Sequence, residues 1–539
     1  MGGALYITGP PRGARVIATV DARTLKGWLR DGAEIALLDV REAGQFGESH
    51  LFLAVPLPFS RLELEIARLV PRKATRVVVC DDGECGVAQR AAARLGELGY
   101  SNLSVLEGGT RAWGAAGHEL YAGVNVPSKA FGELVEHFYG TPRLAPSEVA
   151  AMREAGEDFV IVDGRPLAEF RKMSIPGALC CPNGELAYRI AEIAPDPRTR
   201  IVVNCAGRTR SIVGAQTLIG LGIPNPVFAL ENGTQGWNLA NLPLDHGAAR
   251  RYPGIPPSRD LSVPRSRAQT LAARHGVRFV EDGEAQRLLD DATRTTYVCD
   301  VRTPDEFAAG TLAGAASTPG GQLLQATDQW IAVRGARILL VDGEGIRAPV
   351  VASWLVQMGH DACVVARGVS SGVRVPPIVP VPLPEVPAMP AAELARAIAA
   401  GEASVVDLRS SMAYRASHIP GSSWSIRPRL DRLALPPAKP VVLVADDPGV
   451  AAIAARDVAL AGFASVAALE GGFAAWRSEG RPVEATPDEP PDAECVDFLF
   501  FVHERHEGNK DAARRYLAWE TQLVSQLDED ELACYRLAR

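Results

Sequence analysis

No run of eighteen uninterrupted apolar residues occurs in the chain, so nothing in it reads as a membrane-spanning helix. The opening MGGALYITGPPRGARV lacks the charged-then-apolar order of a signal peptide, and a cytoplasmic protein is expected. Positive charge is not in excess: 56 Lys and Arg stand against 64 Asp and Glu, a formal net charge of -8. That balance argues against broad nucleic-acid binding or adsorption to anionic membranes, and it confines any anion site to a local pocket. Cysteine is sparse. The nine cysteines are odd in number and form no Cys-x-x-Cys pair, which excludes a disulfide framework and a paired-thiolate zinc site and predicts reduced thiols. What remains is ordinary soluble composition, 47% hydrophobic and 22% charged, in 539 residues. That length predicts about three or four domains.

One pattern occurs four times. It opens on an apolar strand ending in Asp-x-Arg: ALLDVRE (36–42), VIVDGRP (160–166), VCDVRTP (298–304) and VVDLRSS (405–411). A second β-branched strand, a loop and an Ala/Leu-rich helix ending near Gly follow, as in IVVNCAGRTRSIVGAQTLIGLGI. The endings are LEGGTRAW (106–113), LENGTQGW (230–237), the degraded VARGVSSGV (365–373) and LEGGFAAW (469–476). Strands alternating with helices at this spacing predict an α/β fold of four tandem modules, each a small, mostly parallel sheet flanked by helices. Ligands in such sheets lie beyond the carboxyl ends of the strands, which directs attention to the loops after Val79, Asn204, Val341 and Val444.

The modules are expected at 16–122, 143–247, 268–375 and 387–485, with a tail at 493–539 that reads as two helices. Between them lie a connection with helical character (123–146), a polar Pro-rich stretch (250–266) and an apolar proline ladder (373–390). The ladder is expected to be extended and packed along a domain surface.

With the Asp-x-Arg turns, the Cys-loop-helix unit and the Gly-Gly-x-x-x-Trp endings in order, the sequence resembles the rhodanese (sulfurtransferase) family, as four modules over roughly residues 16–485. The family's active loop is a cysteine, five loop positions and a helix opening. Module 2 matches it in full as Cys205-Ala206-Gly207-Arg208-Thr209-Arg210-Ser211.

The chemistry of that loop also follows from its residues. A thiol at a strand end, just before a helix start, sits beside converging backbone N–H groups and the positive end of the helix dipole, both of which favour thiolate. Arg208 and Arg210 add fixed positive charge, Gly207 lets the backbone curl, and Ser211 can cap the helix and donate into the cup. Such a cup would stabilise Cys-S⁻, Cys-S-S⁻ and the oxyanion of a donor.

The other modules depart at this point. Counting back from Gly222, Gly359 and Gly462 aligns Cys205 with Asp342 and Ala445, neither of which can carry sulfur. In module 1 the count places Cys80, Asp81 or Asp82 there, in the acidic loop CDDGEC, which would repel an anionic donor and raise a thiol pKa. Cys80 is kept as a secondary candidate, with Cys85 behind it. Cys180-Cys181 lies in a segment that in the family follows the first strand and often approaches the active loop. Cys181 is therefore a candidate sulfur acceptor or resolving thiol, against the plainer reading of two small residues before a Pro turn. Arg189 is a candidate for binding an acidic donor, or else a surface salt bridge.

Asp163/Arg165, Asp39/Arg41, Asp300/Arg302 and Asp407/Arg409 read as structural pairs, since they persist where Cys is absent. His50 and His418 stand where the family commonly has a structural His. Two-domain relatives carry Arg before an aromatic at the position of Glu169-Phe170; here it is Glu. In the tail, His503, Glu504 and His506 lack the i, i+4 spacing of a helical zinc pair, and no metal or cofactor is expected.

The resemblance implies a sulfurtransferase in which Cys205 takes sulfur from thiosulfate, or from a mercapto acid such as 3-mercaptopyruvate, and passes it to cyanide, a thiol or a protein acceptor. Two arginines in the cup favour a compact anion, so thiosulfate leads. A rival is a binding scaffold or sulfur carrier built from degenerate modules. A cysteine phosphatase fits less well, because its cup needs Arg six positions after Cys, where this chain has Ser211. Modules 1 and 2 are expected to form one pair, and 3 and 4 another.

Overall fold

The computed structural model of the protein describes residues 17–256, 259–463, 465–500 and 509–538. Each Asp-x-Arg opening forms a strand: Ile35–Asp39, Phe159–Asp163, Thr296–Asp300 and Ser404–Asp407. The β-branched runs that follow form the neighbouring strands Arg76–Cys80, Arg200–Asn204, Arg337–Val341 and Val441–Val444. Their side chains are buried on both faces, as a sheet covered by helices requires. Where the period lengthens, the chain turns into the helices Val87–Glu97, Thr209–Gly220, Arg347–Gln357 and Pro448–Leu460.

Each module closes a five-stranded sheet. Numbered within the module, the strands run first, fifth, fourth, second, third, and the paired strands are parallel. The second and fourth strands share one register in all four copies: Asp39 faces Cys80, Asp163 faces Asn204, Asp300 faces Val341 and Asp407 faces Val444. The residues that directly follow the central strand, in register with Cys205, are therefore Asp81, Asp342 and Ala445. The choice left open in module 1 falls on Asp81, while Cys80 is the counterpart of Asn204 inside the strand.

The Asp-x-Arg motif is a buried fork. In module 2, Arg165 donates from Nε to Asp163 Oδ1 at 2.9 Å and from Nη2 to Oδ2 at 2.7 Å. The same pair recurs as Arg41–Asp39, Arg302–Asp300 and Arg409–Asp407, each with Nη2 at 2.6 Å from Oδ2. The endings are structural as well. Trp113, Trp237 and Trp476 are buried, and each indole N–H donates to the carbonyl six residues on, in Glu119, Pro243 and Pro482.

The modules do not pair in chain order. One compact unit holds the described residues up to Gln45 with Ala54–Leu120 and Pro380–Phe498, which joins module 1 to module 4. A second holds Phe46–Leu53, Tyr121–Val379 and the described residues from Leu499 onward, which joins module 2 to module 3 and the tail. The expectation that modules 1 and 2 form a pair is thereby corrected, and side-chain packing gives the reason. Ile346, Val350, Trp354 and Met358 of module 3 enter the same buried cluster as Phe131, Leu186 and Leu218. Trp354 donates from its indole to Thr217 Oγ1 at 2.8 Å. Backbone meets backbone at Gly184 and Gly321, where a Cβ on Gly184 would lie 2.6 Å from the Gly321 nitrogen. In the first unit, buried Arg427 of module 4 is held by Glu63 of module 1 at 2.5 Å and by Asp457 at 2.8 Å.

The connection after module 1 contains the helix Val126–Tyr139, and the polar stretch before module 3 gives way to the helix Ser262–Arg274. The proline ladder has no regular structure from 374 to 387 and is mostly exposed, with Val379 at 74%, so it does not pack down as expected. The tail forms the helices Lys510–Gln526 and Glu529–Leu532.

Candidate active site

Cys205 directly follows the strand Arg200–Asn204, and the helix Thr209–Gly220 begins four residues later. The turn is held from below. Asn204 donates to Asp163 Oδ2 at 2.7 Å and to Thr234 Oγ1 at 3.0 Å, tying the strand end to the Asp-x-Arg fork. The thiol lies 3.7 Å from Ser211 Oγ, whose own proton goes to the Arg208 carbonyl at 2.7 Å. The expectation that Ser211 caps the helix and donates into the cup is corrected: its proton goes to the Arg208 carbonyl, the helix start has no side-chain cap, and its oxygen only accepts from the thiol.

The ending motif completes the turn. Thr234 N–H donates to the Cys205 carbonyl at 2.8 Å, and Gln235 N–H donates to the Ala206 carbonyl at 3.0 Å. Gly233 permits this approach: it has φ +54, and a Cβ there would stand 2.4 Å from the Cys205 oxygen and 2.6 Å from that of Gly207. Gly109, Gly368 and Gly472 make the same approach to the carbonyls of Asp81, Asp342 and Ala445. The glycine at the fourth position of each ending is therefore a clamp on the loop. Gly233→Ala is expected to destabilise the protein by about 1–3 kcal/mol and to reduce Cys205 alkylation and turnover together. A melt combined with an alkylation rate checks this.

Module 3 reveals what the loop amides do. Asp342 occupies the cysteine position, at the same spacing from Gly359 as Cys205 from Gly222, although its helix begins five residues later, at Arg347. Its carboxylate accepts from the N–H groups of Gly345, Ile346 and Ala348, each at 2.9 Å. Burial, with Glu344 nearby, pushes Asp342 up to about 6 against the pull of those amides. The counterparts of the three amides in module 2 are those of Arg208, Thr209 and Ser211, around Cys205. Module 1 fills its loop in the same way: Asp81 accepts from Gly83 N–H at 2.8 Å and Ala88 N–H at 2.9 Å, and Cys85 Sγ lies 3.3 Å from it. In modules 1 and 3 the loop is an anion cup, and a carboxylate of the chain occupies it.

The two loop arginines are not free. Arg208 forks onto Glu133, Nε at 2.7 Å and Nη2 at 2.9 Å, and also contacts Glu136. Arg210 forks onto Glu169 at 2.9 and 2.7 Å. Burial opposes the charge of each guanidinium, and the carboxylates hold it protonated well above the ordinary range. Both side chains thus carry the fixed positive charge expected of them, but each charge is matched by carboxylates. The Glu at position 169 also has a reason, since it pairs with Arg210 just as Glu306 pairs with Arg347 in module 3.

Residues from two distant segments close the outside of the loop. Lys129, Glu133 and Glu136 come from the helix Val126–Tyr139, and Tyr516 and Glu520 come from the helix Lys510–Gln526. Glu520 Oε1 accepts from Thr209 Oγ1 at 2.9 Å and lies 3.6 Å from Lys129 Nζ. A Cβ on Gly207 would stand 2.9 Å from Glu520 Oε2 and 3.4 Å from the Tyr516 ring, so this closure, and not a left-handed curl of the backbone, is what requires glycine at 207. Residues 205–209 are all buried, Cys205 to 2% exposure. Nothing in the local sequence signals Glu133, Glu136, Tyr516 or Glu520; only the helical character of their segments was visible.

The secondary candidates lie elsewhere. Cys180 and Cys181 fall in separate core clusters, Cys180 with its thiol 3.4 Å from the Arg165 carbonyl. Burial pushes Cys180 up to about 12 and Cys181 well above the usual thiol range. Arg189 is paired with Glu185 at 3.1 Å and stacked over Tyr188 and Tyr252, on the side facing module 3. Cys80 is fully buried, and its thiol is pushed well up by that burial. Cys85 is pushed up to about 12 by burial and by Asp81 and Asp82. His50 bonds the Phe46 carbonyl at 2.9 Å, and His418 bonds the Tyr414 carbonyl at 2.8 Å, in keeping with a structural part. His503, Glu504 and His506 lie outside the described residues.

The Rhodanese-like domain family matches residues 21–116, 145–240, 281–373 and 390–479. The chain belongs to the rhodanese-like family. It is similar over nearly its whole length to a crystal structure of thiosulfate sulfurtransferase from Pseudomonas aeruginosa, with 42% identity and a TM-score of 0.89, covering 97% of this chain and 100% of that one. A shorter likeness, 37% identity over 111 residues, links it to an HTH-type transcriptional regulator of Mycobacterium tuberculosis. That match takes in 20% of this chain and 48% of the regulator, so the chain spans about half the length of the curated relative it matches. At the level of the family, rhodanese modules and this neighbour support sulfurtransferase activity. No helix among the described residues is long and apolar enough to cross a membrane.

Proposed function

We propose that Cys205 is the nucleophile of a sulfurtransferase that takes sulfane sulfur from a small anionic donor and passes it to cyanide, a thiol or a protein thiol. The observation that carries this reading is the cup itself. In module 3 the loop amides bind a carboxylate, and in module 2 the same loop presents a thiol at that position. The Cys205 thiolate attacks the outer sulfur of thiosulfate, the S–S bond breaks, and sulfite leaves with the bonding pair. The persulfide Cys-S-S⁻ then carries its charge among the amides of Arg208, Thr209 and Ser211.

Thiosulfate as first donor is supported by the Pseudomonas neighbour and by the fit of a compact anion to backbone amides. It is no longer supported by loop side-chain charge, which Glu133, Glu136 and Glu169 offset. A mercapto acid such as 3-mercaptopyruvate remains the second donor. Ala206, Gly207 and Thr209 act through their backbone, and Arg208 and Arg210 act as ties that hold the loop's shape. Modules 1, 3 and 4, with Asp81, Asp342 and Ala445 at the nucleophile position, serve as supports. Steady-state assay with cyanide as acceptor tests the donor order: turnover is expected with thiosulfate at lower KM than with 3-mercaptopyruvate, and the reverse ranking would overturn the assignment of donor.

A further inference from the structure

Glu520 presents an anomaly. It is 1% exposed, and its Oε2 has no hydrogen-bond partner, although buried polar groups are nearly always paired. That oxygen lies against Gly207, where an added Cβ would stand 2.9 Å from it. Gly207 is two residues from Cys205, so their Cα atoms lie within about 7.6 Å of each other. The remaining oxygen of the same carboxylate is anchored by Thr209 and Lys129, and Lys129 is in turn bonded to the Tyr516 hydroxyl. The group is fixed, desolvated on one side, and aimed at the sulfur-carrying loop.

The two halves of a sulfur transfer differ in their need for such a group. Thiosulfate reaches the enzyme without a proton to lose at neutral pH, and sulfite leaves without needing one from the protein. An ordinary thiol arrives as RSH and must shed its proton to become the attacking thiolate. Resting on the reading of Cys205 as sulfur carrier, we propose that Glu520, from the C-terminal helix, is the proton acceptor for the incoming thiol. Oε2 takes the proton from RSH, directly or through one water. RS⁻ attacks the outer sulfur of Cys205-S-S⁻, the S–S bond breaks, and its electron pair returns to Cys205 as thiolate. RSS⁻ departs, and the proton passes from Glu520 to solvent. No oxidant or reductant is consumed.

The test separates the half-reactions in the full-length protein. Persulfide formation from thiosulfate and its discharge by a thiol are each followed by mass in single turnover, for the unaltered protein and for Glu520→Gln, which retains the shape and the bond to Thr209. Discharge by 2-mercaptoethanol at neutral pH is expected to slow by about 10²-fold, with loading changed far less. Discharge by an aromatic thiol already ionised at that pH should be nearly spared, and Glu520→Asp should recover part of the loss. Equal slowing of both halves, or of both thiols, would assign Glu520 a purely structural part and overturn the proposal, as would an unchanged discharge rate. Circular dichroism and a melt confirm that the variant is folded. Absence of loading in the unaltered protein would overturn the Cys205 reading itself, and this inference with it.

Discussion

Replacing Cys205 with Ser is expected to lower sulfur transfer by at least about 10³-fold while leaving the fold intact. The change exchanges one small atom in a turn whose geometry is set by its neighbours. Thr234 and Gln235 hold the carbonyls of Cys205 and Ala206, Asn204 ties the strand to Asp163, and Gly233 allows the close approach. None of these contacts uses the sulfur. The melting transition should therefore move by less than about 1 kcal/mol, while loading from thiosulfate disappears. Residual transfer would shift the chemistry to another thiol. Cys80 and Cys181 are the ones to map first, although burial pushes both well above the usual thiol range.

The second large effect is structural and lies between modules 2 and 3. Arg347 is 1% exposed and pairs with three carboxylates: Glu344 at 2.6 Å, Glu306 at 2.7 Å and Glu185 of module 2 at 2.8 Å. It holds the loop position in module 3 that Arg210 holds in module 2, but has been turned to join the two modules. Arg347→Ala removes the cation that Glu306 and Glu344 share and leaves Glu185 with Arg189 alone, and it is expected to cost about 3–5 kcal/mol. Urea denaturation should show the midpoint falling. Arg347→Met alone should not rescue it, because the excess negative charge remains. Adding Glu185→Gln and Glu306→Gln to Arg347→Met should recover part of the loss. An unchanged midpoint for Arg347→Ala would show that the junction is held by the shared apolar cluster alone.

Much of this architecture was legible in the chain because local signals repeat. Four strands ending in Asp-x-Arg and four Gly-containing endings fix the sheet edges and the loop clamp, and each works within a single module through short-range contacts. The proposed nucleophile position was equally legible where the spacing from strand end to helix-ending glycine is constant, so Asp342 and Ala445 follow from counting back from Gly359 and Gly462. Module 1 resisted because its loop is one residue longer, and only the pairing of Asp39 with Cys80 selects Asp81.

What could not be read depends on contacts distant in sequence. The pairing of module 2 with module 3 rests on Trp354 entering a core beside Phe131, and on two glycines meeting backbone to backbone. Arginine in a sequence announces a charge but not its counterion. Glu133 and Glu136 lie more than seventy residues before the loop. Glu520 lies 311 residues beyond Thr209, in a tail that reads simply as helix.

The most direct measurement is the intact mass of the purified protein before and after thiosulfate, followed by peptide mapping. A gain of one sulfur atom, located on the peptide containing Cys205 and removed by cyanide, is the predicted result. No adduct on that peptide with either thiosulfate or 3-mercaptopyruvate would contradict the account and leave the chain as a binding scaffold.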